Sequence, residues 1–160
     1  MTSHTLNPAS MRDALTALVD HIDGHRLPEP VTLSWSRTTG LQCQAHVTGA
    51  LASLAAWADS LDQVGACLKQ LNGGAVHLDV TGRLDGGIPV CLYTPYRAAL
   101  TPRYRHLLEQ GEPVEFTARQ LHAAASHPRG RHLPSPIERP ARFLLAETGR
   151  AYLAERQVPC

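Results

Sequence analysis

Histidine has the widest chemical reach of any residue type in this chain, because neutral imidazole binds metal ions, and the chain has nine. Three side chains share the polar positions of two predicted strands: His46 lies on one, and His77 and Asp79 lie on the other. If those strands are neighbours, their nitrogen and oxygen atoms could bind one ion. No HxH or HExxH spacing places two ligands on a single element. We therefore predict no metal and no cofactor, and keep a metal-dependent enzyme at these residues as a third hypothesis.

A second pair of histidines, His21 and His25, has the four-residue spacing that places two side chains on one face of a helix. Gly24 lies between them, and glycine commonly ends a helix. We expect the first helix to end at about Asp23, so this pair is not predicted to form a site.

No residue of the sequence is recognisable as a catalytic nucleophile. The chain contains no GxSxG motif, the strand-to-helix turn that exposes a catalytic serine. The glycine pairs at 73–74 and 86–87 lack the spacing and the following lysine of a phosphate-binding loop, and are typical of turns. We therefore predict no catalytic residue and a protein that is not an enzyme.

The four cysteines, Cys43, Cys67, Cys91 and Cys160, are too far apart in sequence to form a short metal-binding motif. Cys43 has an apolar position in its strand and is expected in the core, whereas Cys91 has a polar position and is expected to be exposed. The first ten residues lack the apolar run of a signal peptide, and no apolar run is long enough to cross a membrane. We therefore expect reduced thiols and a cytoplasmic protein without membrane contact.

Two stretches of alternating apolar and polar residues predict the β-hairpins that would position these side chains. The first covers residues 31–47 and turns at Gly40, where a positive φ is expected. The second covers residues 76–92 and turns at Asp85-Gly86-Gly87. Because Pro89 cannot donate a hydrogen bond to a neighbouring strand, the fourth strand is predicted to be an edge.

Helices are predicted before and between the hairpins. Ser10 can cap the first, Met11–Asp23, with Asp13 in its first turn. Leucine spacing predicts a second helix over Ala50–Asp62, followed by a short helical turn over Val64–Leu71. The predicted fold class is α+β: an αββαββ core with a four-stranded, mainly antiparallel sheet covered by helices on one face, plus C-terminal helices.

The chain of 160 residues is expected to form one domain, and its 43% hydrophobic content is typical of a folded protein. We divide it into a flexible N-terminal tail at 1–10, the αββαββ core at 11–96 and a helical extension at 97–160 that packs on or beside the core. The helices predicted in the extension cover residues 104–110, 116–125 and 141–156.

The polar face of the predicted sheet carries few charges. Short hydroxyls and amides let a partner approach closely and form adaptable hydrogen bonds, whereas a face selected only for solubility usually carries Lys and Glu. Threonine-rich strands are also ordinary, because threonine fits the pleat of a sheet. We predict that this face binds a partner protein or a second copy of the chain through Ser34, Ser36, Gln42, Gln44, His46, His77 and Asp79.

Charge is unevenly distributed along the chain. Residues 1–96 have five Lys or Arg against eight Asp or Glu, and residues 97–160 have ten against six. Phosphate contact by the basic last third makes a DNA-binding regulator the alternative function, using Arg119, Arg129, Arg131, Arg139 and Arg142. The segment RFLLAETGRAYLAE within it loosely resembles the end of winged-helix repressors, a resemblance that also implies DNA binding.

The totals favour a protein partner over nucleic acid. The net charge of +1 gives no overall attraction to a polyanion or an acidic membrane. Lys69 is the only lysine beside fourteen arginines, a bias typical of GC-rich bacterial genomes. We therefore predict a small cytosolic bacterial protein that acts as a non-catalytic protein-binding or regulatory module, with a homodimer as one form of that binding.

Overall fold

A computed structural model of the chain describes residues 10–46, 49–97 and 100–126, and within these ranges it is an α+β structure. The predicted fold class is confirmed. None of the helices in these ranges has the length and apolar character needed to cross a lipid bilayer. The elements are α1 (Met11–His25), β1 (Thr32–Ser36), β2 (Gly40–Gln44), α2 (Ala50–Ser60), β3 (Asp62–Gln70), β4 (Val76–Arg83), a 3-10 turn (Asp85–Gly87), β5 (Pro89–Pro95), α3 (Pro102–Glu109), β6 (Val114–Phe116) and α4 (Ala118–Ala125).

The sheet has six strands in the order β1-β2-β5-β4-β3-β6. All neighbours are antiparallel except β2 and β5, which are parallel. A parallel pair needs a long crossover, which α2, β3 and β4 supply here. Both predicted hairpins are present, but the predicted four-stranded sheet was two strands short.

The strand β3 replaces the helical turn predicted over Val64–Leu71, and that prediction was wrong. Val64, Ala66 and Leu68 alternate with more polar residues, which is the two-residue period of a strand. Leu68 is fully buried and lies opposite Leu78 of β4. The positive φ of Gln63, at 52°, separates this strand from the end of α2.

Strand β5 is central, so the prediction that Pro89 marks a sheet edge was also wrong. Pro89 is the first residue of β5 and lies opposite Arg83 of β4. The pairing of β5 with β2 begins one residue later, at Val90 opposite Leu41. The missing N–H of proline is tolerated at the first position of a strand, before the second ladder starts.

The core lies between one face of this sheet and the helices. Leu41, Leu78, Val80 and Leu92 of the sheet have no exposed surface, and neither do Leu54, Trp57 and Leu121 of the helices. Complete burial of such a side chain stabilises the fold by roughly 1.5–3 kcal/mol. Leu33 was predicted to join this layer but is 42% exposed, because β1 is the outermost strand.

Helix α1 begins as predicted and ends later than predicted. Ser10 and Asp13 form a reciprocal capping box, and the hydrogen bonds from Ser10 lower the pKa of the Asp13 carboxyl. The helix then continues through Gly24 to His25. It ends at Arg26, whose φ of 53° is left-handed and whose N–H donates to the Ile22 carbonyl.

The start of the extension contributes to the same sheet, because β6 pairs with β3. The predicted helix over 116–125 was therefore wrong at its start, since Phe116 lies in β6 and α4 begins at Ala118. Thr117 between them caps α4, and its hydroxyl accepts a hydrogen bond from the Gln120 N–H. The helix predicted over 141–156 lies outside the described residues.

We predict that Gly40→Ala destabilises the protein far more than Gly86→Ala. Both glycines have positive φ, 76° and 81°, which costs an alanine roughly 1–2 kcal/mol. A Cβ at Gly40 would also overlap the carbonyl oxygen of Pro89, whereas a Cβ at Gly86 meets nothing within 4 Å. Urea unfolding should show a loss of about 3 kcal/mol for the first variant and about 1 kcal/mol for the second. Equal losses would contradict the packing of β2 against β5.

Candidate binding face of the sheet

The strand register places a second set of side chains on the side of the sheet opposite the core, which we call the polar face. Six of the seven residues predicted to bind a partner lie on it, and His46 lies exposed just beyond the end of β2. Except for Asp79 and Cys91, its side chains are exposed or half-buried. The face consists of Thr32, Ser34, Ser36, Gln42, Gln44, Cys67, Lys69, His77, Asp79, Thr81, Arg83, Cys91, Tyr93 and Glu115.

The polar face is electrically balanced. Its two basic residues, Lys69 and Arg83, are matched by two acidic ones, Asp79 and Glu115. On β1 and β2 it carries only hydroxyls and amides, and the Thr32 hydroxyl donates to Gln44 Oε1 at 3.3 Å. Such a surface lacks the excess positive charge with which proteins bind phosphate backbones.

A cleft of about 190 Å³ opens on the polar face, between β2, β5, β4 and the end of β3. It presents an amide, an ammonium, an imidazole, a carboxylate and a phenol, together with one leucine. Sites for drug-sized molecules usually exceed roughly 300 Å³, so this cleft has room for a single side chain or a similarly small polar group. Its lining residues are Gln42, Lys69, Leu71, His77, Asp79 and Tyr93.

The deepest group in the cleft is Asp79, whose side chain is fully buried although it lies on the polar face. Lys69 Nζ lies 2.5 Å from Asp79 Oδ2, and its side chain is 23% exposed. Lys69 lies opposite His77 in the register, so it reaches Asp79 diagonally across the ladder. This contact compensates a carboxylate that would otherwise be costly to bury.

Two rings form the wall of the cleft next to this ion pair. His77 and Tyr93 lie on neighbouring strands, with ring centroids 5.4 Å apart and ring planes within 4° of parallel. Stacking of this kind fixes the orientation of both rings before any partner arrives. The cleft is therefore lined by side chains that are already ordered, which reduces the entropy cost of binding.

The cysteines of the sheet differ from the prediction in one respect. Cys43 is buried in the core as expected, and burial raises the pKa of its thiol to about 12. Cys91 was predicted to be exposed but is only 2% exposed, because it lies in the middle of the sheet between Gln42 and Thr81. Cys43, Cys67 and Cys91 are all free thiols.

The three residues considered as metal ligands, His46, His77 and Asp79, do not converge. That arrangement required the strands of His46 and His77 to be neighbours, but β5 lies between β2 and β4. Strands two places apart in a sheet are separated by about 9.5 Å, which is too far for two first-shell ligands of one ion.

A different set of groups comes together at the end of α1. His21, His25 and Asp85 each offer a ligand atom, and these atoms all lie within 4.8 Å of one another. Burial, and then the nearby His25, lower the pKa of His21. The four-residue spacing of the histidines was the available signal, and the prediction that the helix ends at about Asp23 concealed it. No local pattern pointed to Asp85, sixty residues away.

The alternative nucleic-acid surface is represented by one residue in the described ranges. Arg119 is exposed on α4. Arg129, Arg131, Arg139 and Arg142, and the segment that resembles the end of winged-helix repressors, lie outside the described residues. The DNA-binding hypothesis therefore stays a prediction.

Comparisons of the chain with family models, with curated proteins and with solved structures gave no match. The functional argument therefore rests on the geometry of the chain itself.

We predict that the Lys69–Asp79 pair behaves as one energetic unit. Lys69→Met should cost about 2–3 kcal/mol of unfolding free energy, since it leaves a buried carboxylate without its cation. The double variant Lys69→Met with Asp79→Leu should lose at least about 1 kcal/mol less than the sum of the two single variants.

Arg83→Met is the matched control, because Arg83 is an exposed cation on the same face that hydrogen-bonds Gln63 and the Gly87 carbonyl. It should cost less than about 1 kcal/mol. Additive losses for Lys69 and Asp79 in urea unfolding would show that the pair is not coupled.

Proposed function

We propose that this chain is a non-catalytic protein-binding module whose first partner is a second copy of itself, bound edge to edge through β1. The observation that carries the proposal is the free outer edge of β1. No other described strand pairs with that edge. An unpaired edge offers a row of backbone donors and acceptors that another strand can complete.

Strand β1 lacks the features with which proteins usually block an edge. Its sequence, TLSWS, has no charge and no proline, and Val31 and Leu33 are 55% and 42% exposed. The opposite edge is different, because β6 has only three residues and carries Glu115. Short strands and charged side chains discourage pairing, so the two edges of the sheet are not equivalent.

The pattern of β1 is complementary to itself in an antiparallel arrangement. With Ser34 on a twofold axis, Leu33 of one copy faces Trp35 of the other on the helix-covered side. Thr32 then faces Ser36 on the polar side. Cross-strand pairs of matching polarity stabilise a sheet, and a contact of this symmetry closes after two copies. This favours a second copy over an unrelated strand as the occupant of the edge.

Such a pairing would join the polar faces of two copies into one continuous surface with two clefts. The cleft volume of about 190 Å³ fits a single partner side chain better than a cofactor or a drug-sized ligand. The equal number of basic and acidic residues on this face supports a protein partner over nucleic acid.

We predict that Leu33→Lys converts a dimer into a monomer. Size-exclusion chromatography with light scattering should give twice the chain mass of 17.4 kDa for the wild type and 17.4 kDa for the variant. A lysine on the edge removes apolar contact and brings two like charges together across the axis.

Val19→Lys is the matched control, because Val19 is an equally exposed apolar residue on α1. It should leave the dimer intact, and circular dichroism should show both variants folded. A wild-type chain that stays monomeric at the highest concentration reached would rule the proposal out, as would a Leu33→Lys variant that remains dimeric.

A further inference from the structure

The end of α1 carries two histidines on one face, next to the turn between β4 and β5. Because the helix continues to His25, the rings of His21 and His25 are four residues apart on the helix, with centroids 4.4 Å apart. Asp85 begins the 3-10 turn and brings a carboxylate to the same place. One ligand atom from each residue lies within 4.8 Å of those of the other two.

His21 is the only buried member of this group, with 3% of its surface exposed, and its hydrogen bonding is specific. Its Nε2 lies 3.0 Å from Ser60 Oγ, and that hydroxyl donates to the Trp57 carbonyl at 2.9 Å. A hydroxyl has one proton to donate, so Ser60 accepts from Nε2–H of His21. The lone pair of neutral His21 is therefore on Nδ1.

Nδ1 of His21 is buried and has no hydrogen-bond partner among the described residues. Buried polar atoms in proteins are nearly always satisfied, so one that is not asks for an explanation. In metal sites, a ligating histidine characteristically donates its other ring N–H to a neighbouring group, which fixes its tautomer and orientation. Ser60 has that role here, since it leaves Nδ1 as the nitrogen available to an ion.

We propose that His21, His25 and Asp85 form a site for a divalent transition-metal ion such as Zn²⁺. Two imidazole nitrogens and one carboxylate oxygen are the donor set that Zn²⁺ uses with three protein ligands. Ligands of one Zn²⁺ lie about 3–4 Å apart, so the present separations need only small side-chain adjustments. His25 and Asp85 are exposed and can make them.

The site would join α1 to the turn between β4 and β5. His21 is held by α2 and stacks on Trp57, with ring centroids 5.8 Å apart, so the buried ligand is already in place. Exposure of the other two ligands leaves the ion open to water or a small anion. This inference does not depend on the proposed dimer, because none of its residues lies on β1.

Zn²⁺ alone is the probe for the test, added as the chloride to the chelator-treated full chain in isothermal titration calorimetry. His25→Ala and Asp85→Asn should each weaken binding by tenfold or more, because each removes a ligand. Ser60→Ala keeps all three ligands and should weaken binding by about tenfold, as expected for loss of a second-shell partner. Co²⁺ in place of Zn²⁺ should give visible d–d absorption, which the ligand variants should lose.

His122→Gln is the matched control. His122 Nδ1 lies 3.2 Å from Asp59 Oδ2, so it is a histidine beside a carboxylate but without a second histidine. This variant should bind Zn²⁺ like the wild type. Since His25, Asp85 and His122 are all exposed, their variants should remain folded, which thermal unfolding will verify.

The wild type losing affinity in the three site variants and keeping it in the control supports the site. Absence of Zn²⁺ binding by the wild type overturns it. Equal affinity in the wild type and in His25→Ala or Asp85→Asn also overturns it, since binding would then occur at other histidines of the chain. The oligomeric state measured for Leu33→Lys does not enter into any of these outcomes.

Discussion

The strict alternation of side chains along β4 and β5 is the constraint on which the rest of the structure depends. Leu78, Val80 and Leu92 point to one side and have no exposed surface. Asp79 points to the other side from the middle of the same strand. Because one residue of slip would exchange the two sides, the register must be kept, and the helices can cover only the apolar side. Lys69 makes the buried carboxylate tolerable in that register.

Helix α2 connects this sheet to the rest of the described chain. Trp57 has no exposed surface, and its indole N–H donates to the Pro28 carbonyl at 3.1 Å, so it fixes the segment that leads into β1. Ser60, one turn later, fixes His21 of α1. One short helix thus positions both the approach to the free edge strand and the buried member of the histidine cluster, and both proposals rest on rigid elements.

The two proposals use different chemistry at different places. Pairing at β1 relies on backbone hydrogen bonds and apolar contact, and it would enlarge a neutral polar face. The histidine cluster relies on lone pairs held by a buried hydrogen-bond network. Each can hold without the other, because no residue is shared between β1 and the cluster.

Much of the local structure was determined by the sequence itself. Gly40 sets the turn of the first hairpin, Ser10 and Asp13 cap α1, and alternation separates the two faces of every predicted strand. These features depend on a residue and its near neighbours, whose sterics and side-chain hydrogen bonds act over a few positions. For the same reason Ser34, Ser36, Gln42, Gln44, His77 and Asp79 could be assigned to one face of a sheet before the sheet was known.

The order of the strands was decided only by the tertiary structure. Strands pair through backbone groups that every residue carries, so no local pattern states that β5 lies between β2 and β4, or that β3 and β6 extend the sheet. That order separates His46 from Asp79 and buries Cys91. It is likewise packing, and not spacing, that brings Asp85 to His21 and His25 from sixty residues away, because contacts between distant elements depend on the surfaces they bury together.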